Sequence, residues 1–344
     1  MLKNYSKNKD EFSYSTTPRL PINTNDISYD NYPKIIEQIN KSQIIFSLNK
    51  TKSFKFKSEN EIYNEFKILK NYIDNDKIHY NNLIEENDIK NRYSDIRTYL
   101  YNTVPLSSNN YINASFINFP KKNFFIATQA PLNSTIEDFF QMIFDYNINI
   151  IVMLCSCYEN GKLKCIEYYD SDLNENLKKF YIEIINEKKI NNFNLKYREI
   201  KIVDKINNKN KIIKQIQILG WKDHNIIDVN KYYESFIYLF KFIAQNNNNA
   251  PVLTHCSAGV GRTGTFITLF CIYFEILKQL NENKHEIKFS IFNFVRKIKE
   301  LRMFLVENEI QYKFIYNFID KFLQNVSNEF KENKNRLNFE EFNI

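Results

Sequence analysis

The spacing of apolar and polar residues predicts two helices in the first half of the chain. In STIEDFFQMIF, from residue 134, five apolar side chains share one helical face: Ile136, Phe139, Phe140, Ile143 and Phe144. Ser134 and Glu137 fit the capping-box pattern that begins many helices. The segment IYNEFKIL, from residue 62, predicts another helix.

Other segments predict strands of two kinds. IIVML (150–154) is apolar at every position, as expected for a central strand covered on both faces, and FFIATQA (124–130) and PVLTHC (251–256) also predict strands. By contrast, the segments around 178–186, 197–203 and 212–219 alternate apolar with polar residues, which is typical of half-exposed antiparallel strands. Asn160-Gly161 has the signature of a two-residue hairpin turn.

The order of these elements predicts the fold class and the domain limits. A long apolar helix, TGTFITLFCIYFEILKQL, follows PVLTHC, and the last third of the chain is helical, so we expect an α/β fold with a central mixed sheet flanked by helices. Residues 1–55 are polar and carry three of the seven prolines, which predicts a flexible N-terminal extension in which PKIIEQIN is a short helix. We expect one domain over 56–326 and a polar tail over 327–344.

Composition narrows the setting in which the protein works. The net charge is +7, but lysine and asparagine are spread along all 344 residues without an arginine-rich or aromatic-interleaved patch, so we expect a solvated basic surface and no nucleic-acid partner. Five cysteines without regular spacing favour a reducing compartment. The first residues lack a signal core and the longest apolar run, IIVMLC, is too short to span a bilayer. We therefore expect a cytoplasmic monomer.

A glycine-rich loop carries the candidate chemistry. HCSAGVGRTG (255–264) holds three of the five glycines in the chain and lies between a predicted buried strand and a predicted helix. Such a loop offers backbone N–H groups and a helix dipole to an anion, and it does not match the nucleotide P-loop pattern. Cys256 and Arg262 at this spacing suit phosphoryl transfer, because the same environment favours a thiolate nucleophile and arginine grips two phosphate oxygens. A buried cysteine beside an ordinary tight turn is the structural alternative.

As a whole, HCSAGVGRTG closely resembles the signature loop of the protein tyrosine phosphatases, of the non-receptor, phosphotyrosine-specific type. The resemblance implies the highly twisted sheet of that family and a cysteinyl-phosphate mechanism with no metal or other cofactor. Cys256 is then the nucleophile, Arg262 clamps the phosphate, and the loop amides bind its oxygens; the loop residues are Ser257, Ala258, Gly259, Val260 and Gly261. His255 orients the cysteine, and Thr263 either donates to the departing thiolate or simply opens the helix.

Further segments resemble other family motifs in the family's order. KNRYSDI (90–96) resembles the phosphotyrosine-recognition loop, which implies that Tyr93 packs on the substrate ring and Asp95 holds peptide amides. WKDH (221–224), with the only tryptophan, Trp221, resembles the mobile loop that carries the general acid, here Asp223. Two further segments supply candidate supporting or substrate-binding residues: Glu159 and Lys164 in the first, and Glu307 and Gln311 in RMFLVENEIQY. NYINASFI, FIATQAPL and EYY match segments that build the core.

Three departures from the family pattern bear on function. Glu307 replaces a glutamine that positions water in the second step, which predicts slower dephosphorylation of the intermediate. Lys222 replaces the proline of the acid loop, and Phe304 replaces a glycine beside the pocket, which predicts a changed rate and narrower access. These departures leave open a catalytically impaired phosphotyrosine-binding pseudophosphatase. A dual-specificity phosphatase is disfavoured, because KNRY supplies a deep aromatic wall.

Overall fold

A mixed sheet of seven strands organises the described part of the protein. The computed structural model describes residues 33–48, 57–71, 88–119, 124–221, 228–282, 284 and 286–332. The helices of these segments are α1 (Pro33–Lys41), α2 (Glu59–Leu69), α3 (Ile136–Asp145), α4 (Val229–Asn246), α5 (Gly261–Asn281), α6 (Ile291–Lys299) and α7 (Glu309–Glu332). No described helix is both long and apolar enough to cross a membrane.

The strands of the described residues form one large sheet and two small ones. They are β1 (Ile44–Ser47), β2 (Ala114–Ile117), β3 (Phe125–Thr128), β4 (Ile150–Met153), β5 (Tyr158–Glu159), β6 (Lys162–Leu163), β7 (Phe180–Ile190), β8 (Leu195–Asp204), β9 (Lys209–Ile218), β10 (Val252–His255) and β11 (Glu286–Phe289). The large sheet has the order β2-β3-β10-β4-β9-β8-β7, with β4 at its centre. The prediction of an α/β fold with a central mixed sheet is confirmed.

Strand direction explains the two kinds of apolar pattern in the sequence. β4 is parallel to both β10 and β9, and every residue of β3, β4 and β10 is buried, which accounts for their continuous apolar runs. β8 pairs antiparallel with β7 and β9, and its side chains alternate between buried and partly exposed. Asn160 and Gly161 both have positive φ, 51° and 74°, as the predicted hairpin turn between β5 and β6 requires.

The predicted capping box at the start of α3 is wrong, although the helix and its apolar face are confirmed. The helix begins at Ile136 after Thr135, and no side chain caps it. The Glu137 carboxylate instead accepts hydrogen bonds from the backbone N–H groups of Lys178 at 2.6 Å and Lys179 at 2.8 Å. The Glu137 carboxylate therefore bonds to a distant segment of the chain and not to the start of its own helix.

Part of the segment predicted as a flexible extension is ordered. α1 forms where PKIIEQIN indicated a short helix, and β1 pairs antiparallel with β11 from Ile44 against Phe289 to Ser47 against Glu286. The buried carboxylate of Glu65 on α2 accepts hydrogen bonds from Gln38 on α1 and from Tyr312 on α7. Composition alone could not reveal these contacts, because the partners lie far along the chain. The domain limits at 55 and 327 stay predictions.

The glycine-rich loop leaves the carboxyl end of β10 and enters the amino end of α5. β10 lies between β3 and β4, so the loop emerges from the middle of the sheet. α5 is almost entirely buried along its length, which fixes its first turn in the core. This strand–loop–helix unit places the candidate chemistry on a rigid frame.

Candidate active site

Cys256 lies at the base of the loop and is almost fully buried, with 4% of its surface exposed. The backbone N–H of Gly259 points at it and donates a hydrogen bond to Sγ over 3.3 Å. The loop is thus curled so that at least one amide faces the sulfur. An N–H group directed at this sulfur stabilises a negative charge on it and on oxygens bound above it.

Arg302 holds the loop in this curled form from behind. Its buried guanidinium donates from Nε to the carbonyl oxygen of Gly259 at 2.9 Å and from Nη2 to that of Ala258 at 3.1 Å. Across each peptide plane the carbonyl and the next N–H point in opposite directions. Fixing these carbonyls against Arg302 therefore turns the N–H groups of Gly259 and Val260 toward the pocket.

Arg302 has a second set of partners in the core. Nη2 donates to Asn113 Oδ1 at 2.7 Å and Nη1 to Ser115 Oγ at 3.3 Å. Burial lowers the pKa of Arg302 to about 10, with opposing electrostatic contributions led by Tyr111 and including Cys256. The guanidinium remains charged at neutral pH and adds a positive charge behind the loop. Sequence reasoning missed this residue.

Arg262, at the first turn of α5, is fixed by the β5–β6 hairpin and by Trp221. Its Nη1 donates to Glu159 Oε1 at 2.6 Å and to the carbonyl oxygen of Trp221 at 2.8 Å. Glu159 Oε1 also accepts from the backbone N–H of Ser156 at 3.1 Å, which fixes the carboxylate itself. The structure thus places Glu159 in direct contact with Arg262, and the roles of both residues stay predictions.

Trp221 anchors the chain just before the predicted acid loop. Its side chain is buried and packs edge-on against Phe236 of α4, with ring centroids 5.2 Å apart, and also contacts Phe314 of α7. Lys222 and Asp223 follow directly and lie outside the described residues. The role of Asp223 as general acid and the effect of Lys222 stay predictions.

The segment around Tyr93 forms a wall of the site. The hydroxyl of Tyr93 lies 2.9 Å from Ser257 Oγ, which itself donates to the carbonyl oxygen of Lys164 at 2.9 Å. The side chain of Gln129 fixes this segment, because it accepts from the N–H of Arg92 and donates to the carbonyl of Lys90, both at 2.8 Å. Gln129, in the segment FIATQAPL, is a second positioning residue that sequence reasoning took only as core.

Asp95 lies two residues after Tyr93 and is exposed to solvent. A carboxylate in this place is available to a ligand that binds across the mouth of the site. Thr263, in the first turn of α5, is fully buried, and within the described part of the chain its hydroxyl oxygen has no hydrogen-bond partner. The roles of Asp95 and Thr263 stay predictions.

His255 lies directly behind the cysteine and belongs to a buried hydrogen-bond chain. Nδ1 lies 3.0 Å from the carbonyl oxygen of Cys256, and Nε2 lies 2.8 Å from the hydroxyl of Tyr168. The Tyr168 oxygen accepts from Gln215 Nε2 at 2.6 Å, so its own proton is free to go to His255. With a proton on Nδ1, the ring donates to the Cys256 carbonyl, accepts from Tyr168 and so orients the loop.

Glu307 and Gln311 lie against the amino end of α5. The backbone N–H of Glu307 donates to Gln311 Oε1 at 2.9 Å. A Cβ built on Gly261 would lie 2.6 Å from Gln311 Nε2 and 2.7 Å from Glu307 Oε2. Both side chains therefore reach the place where the phosphate loop becomes helix, and Glu307 puts a carboxylate there.

Close contacts explain the glycines of the loop. Gly259 has φ +72°, and a Cβ at this position would lie 2.1 Å from the backbone oxygen of Thr128. A Cβ on Gly264 would lie 2.3 Å from the backbone nitrogen of Val306, because the segment that carries Glu307 packs directly on α5. In that segment Phe304 and Val306 adopt positive φ, 57° and 60°, which is strained for non-glycine residues and accounts for a family glycine where Phe304 stands.

Comparison with known proteins agrees with this geometry. The family described as protein-tyrosine phosphatase matches residues 87–321. The chain belongs to the protein-tyrosine phosphatase family. Tyrosine-protein phosphatase non-receptor type 20 from Rattus norvegicus is 35% identical over 281 residues, which are 80% of this chain and 64% of that protein. The chain thus spans less than two thirds of each of three curated tyrosine phosphatases: 64% of this one, 62% of its Mus musculus counterpart and 19% of the receptor-type tyrosine-protein phosphatase eta from Mus musculus, which is 32% identical over 239 residues.

Solved phosphatase structures share the fold. The catalytic domain of human protein tyrosine phosphatase non-receptor type 18 superimposes with a TM-score of 0.62 at 26% identity, covering 77% of this chain and 94% of that chain. A complex of PTPN18 with HER2-pY1196 phosphopeptides gives a TM-score of 0.64 at 25% identity, over 76% of this chain and 92% of that chain. The predicted protein tyrosine phosphatase fold is confirmed.

Proposed function

We propose that this protein hydrolyses phosphotyrosine in other proteins through a cysteinyl-phosphate intermediate. Cys256 attacks phosphorus in line, the S–P bond forms as the bond to the tyrosine oxygen breaks, and Asp223 gives its proton to the leaving phenol. Water then attacks the cysteinyl phosphate, Asp223 takes a proton from it, and phosphate leaves with the thiolate restored. The arrangement of Gly259 N–H on Cys256 Sγ, with the outer carbonyls fixed by Arg302, carries the proposal.

Electrostatic stabilisation is the main contribution of the loop to this reaction. A doubly charged ester needs donors that are already oriented, and the N–H groups turned inward by Arg302 meet that need without reorganisation. Arg262 adds a planar pair of donors, and its ion pair with Glu159 holds the guanidinium at the loop. The loop residues Ser257 to Gly261 and Arg262 are the phosphate-binding set.

The aromatic side of the site supports a phosphotyrosine substrate. Tyr93, linked through its hydroxyl to Ser257, stands beside the loop, where its ring can pack against the ring of a phosphotyrosine. The exposed carboxylate of Asp95 is suited to accept N–H groups of the substrate peptide. A phosphoserine side chain is shorter and gains nothing from an aromatic wall. Paired phosphotyrosine and phosphoserine peptides of one sequence test this preference directly.

Glu307 makes the second step the slower one. Its carboxylate reaches the amino end of α5, close to the place of the bound phosphoryl group, and like charges repel there. The family glutamine at this position orients the attacking water, whereas a carboxylate adds negative charge beside a dianion. A rapid-mixing assay with an aryl phosphate is expected to give a burst of phenol and then slow turnover. A trace that is linear from time zero would reject this assignment.

A pseudophosphatase that binds phosphotyrosine without turnover is the second candidate, and Glu307 is the observation that favours it. The two functions separate in one experiment. Pure protein is mixed with an aryl phosphate, with Cys256→Ser as the control. Turnover that the substitution abolishes supports the enzyme, whereas phosphopeptide binding without turnover supports the binding module. Cytoplasmic location and a monomeric state belong to the proposal and rest on composition alone.

A further inference from the structure

A buried group of metal-ligating side chains lies behind the active site and takes no part in the proposed reaction. Cys155, at the end of β4, Cys165, after the β5–β6 hairpin, and His255, at the end of β10, are each fully buried. One ligand atom from each lies within 4.8 Å of the others. Three ligand atoms at this mutual distance can surround one cation with modest side-chain adjustment, since zinc lies about 2.3 Å from sulfur and about 2.0 Å from nitrogen.

We propose that Cys155, Cys165 and His255 form a binding site for a thiophilic divalent cation such as Zn²⁺. Two thiolates and an imidazole are soft ligands, which favours zinc over magnesium or calcium. The charge also fits, because a divalent cation with two thiolates and a neutral imidazole has no net charge, as a buried site requires. Zinc binds the thiolate form of both cysteines, so metal binding releases the protons that the two sulfurs still carry.

The surroundings of the three ligands suit this site. The carbonyl oxygen of Cys157 accepts a hydrogen bond from the backbone N–H of Cys165 at 3.3 Å, so a further cysteine lies near the group. Both ring nitrogens of His255 face polar partners, Tyr168 Oη and the Cys256 carbonyl. A metal on one nitrogen replaces the partner of that nitrogen, and the partner of the other nitrogen continues to orient the ring.

The β5–β6 hairpin offers an entry path. Cys157 and Cys165 flank this hairpin, whose strands have two residues each, and Tyr158 at its start is 65% exposed. Opening of this ladder of two residue pairs gives the metal a route that does not require the core sheet to separate, and it also breaks the ion pair of Glu159 with Arg262.

The test measures metal binding itself, in the full chain with Cys256→Ser so that the active-site sulfur is removed. Co²⁺ alone is the probe, since thiolate ligands give it a charge-transfer absorption. We expect one equivalent to bind, and the added changes Cys155→Val and Cys165→Val to weaken binding more than about tenfold. The added change Cys271→Val, at a buried cysteine in α5, is the matched control and is expected to leave binding unchanged.

Two results would overturn the proposal: no thiolate absorption with the Cys256→Ser protein, or equal absorption after Cys155 and Cys165 are replaced. If the variant that carries Cys155→Val and Cys165→Val fails to fold, X-ray absorption of the zinc-loaded Cys256→Ser protein identifies the metal ligands instead. Scattering from sulfur at about 2.3 Å and nitrogen at about 2.0 Å supports the site, and oxygen ligands alone contradict it.

Occupancy of this site would also slow the phosphatase, a consequence that rests on the proposed function. A metal on one ring nitrogen of His255 replaces its bond either to Tyr168 or to the Cys256 carbonyl, and so changes how the ring orients the catalytic loop. We expect zinc inhibition of the native sequence to be reduced at least about tenfold by Cys155→Val with Cys165→Val. Unchanged inhibition would contradict the coupling. A protein without phosphatase activity would leave the spectroscopic test intact, so the two failures remain distinguishable.

Discussion

Replacing Arg302 with methionine tests whether the curl of the phosphate loop depends on this buried side chain. Methionine keeps much of the length and none of the donors. The change leaves the carbonyls of Ala258 and Gly259 without the donor that now lies at 3.1 and 2.9 Å. An unsatisfied buried acceptor costs about 1–3 kcal/mol. The loss of both hydrogen bonds therefore destabilises the curled loop by at least about 2 kcal/mol relative to other loop conformations.

This cost predicts the loss of rate. At about 1.4 kcal/mol for each factor of ten, 2 kcal/mol corresponds to about 30-fold, and the loss of a well-placed oxyanion donor in other enzymes reaches about 100- to 1000-fold. We therefore expect kcat/KM for an aryl phosphate to fall at least about 30-fold in Arg302→Met. The assay is run at a temperature at which circular dichroism shows that the variant is folded.

Arg296→Met is the matched control for this experiment. Arg296 is as buried as Arg302, but it donates to Glu300 and Asn293 around α6 and not to the loop. We expect it to lose stability to a similar extent while kcat/KM changes less than about threefold. Equal losses of activity in both variants, or full activity in Arg302→Met, would refute the role given to Arg302.

Three further substitutions probe the site. Glu307→Gln is expected to abolish the burst and raise steady turnover, with Glu309→Gln, an exposed neighbour, as control; a burst that persists would contradict the charge argument. Gly259→Ala is expected to abolish activity. Its control, Gly161→Ala, has a similar φ but lies in open space, and it is expected to lower only the free energy of unfolding, by about 1–2 kcal/mol. Equal losses of activity in the two variants would show that the contact of Gly259 with the backbone is unimportant. Tyr168→Phe is expected to lower kcat about 3- to 10-fold with little change in KM, and a change in KM alone would argue against a role through the loop.

Patterns of local origin predicted most of the fold. The continuous apolar run of β4 and the alternation of β7 to β9 arise from how many faces each strand buries, so they are visible in the sequence. The neighbourhood of Cys256, Arg262, Tyr93 and Gln311 was also predictable. It follows from motifs whose order along the chain resembles that of a known family.

Contacts between distant residues were not predictable. Arg302 looks like a surface charge in its segment, because only the folded chain brings it beneath Gly259, which precedes it by 43 positions. Glu137 fits the local pattern of a helix cap, but its carboxylate accepts hydrogen bonds from the backbone N–H groups of residues 178 and 179. β1 is a four-residue strand whose partner lies more than 200 residues away, so no short-range signal marks it. Cys155, Cys165 and His255 likewise come together only because the residues after β4, the residues after the β5–β6 hairpin and the end of β10 are neighbours in the folded chain.

The most direct test of the central claim is to look for the phosphoryl group on sulfur. The native-sequence protein is mixed with an aryl phosphate, quenched in acid within the burst, digested, and mapped by mass spectrometry. The account predicts one added phosphoryl group on the peptide that contains Cys256 and none in Cys256→Ser. Phenol release with no phosphorylated Cys256 peptide, or with the label on another residue, would contradict it.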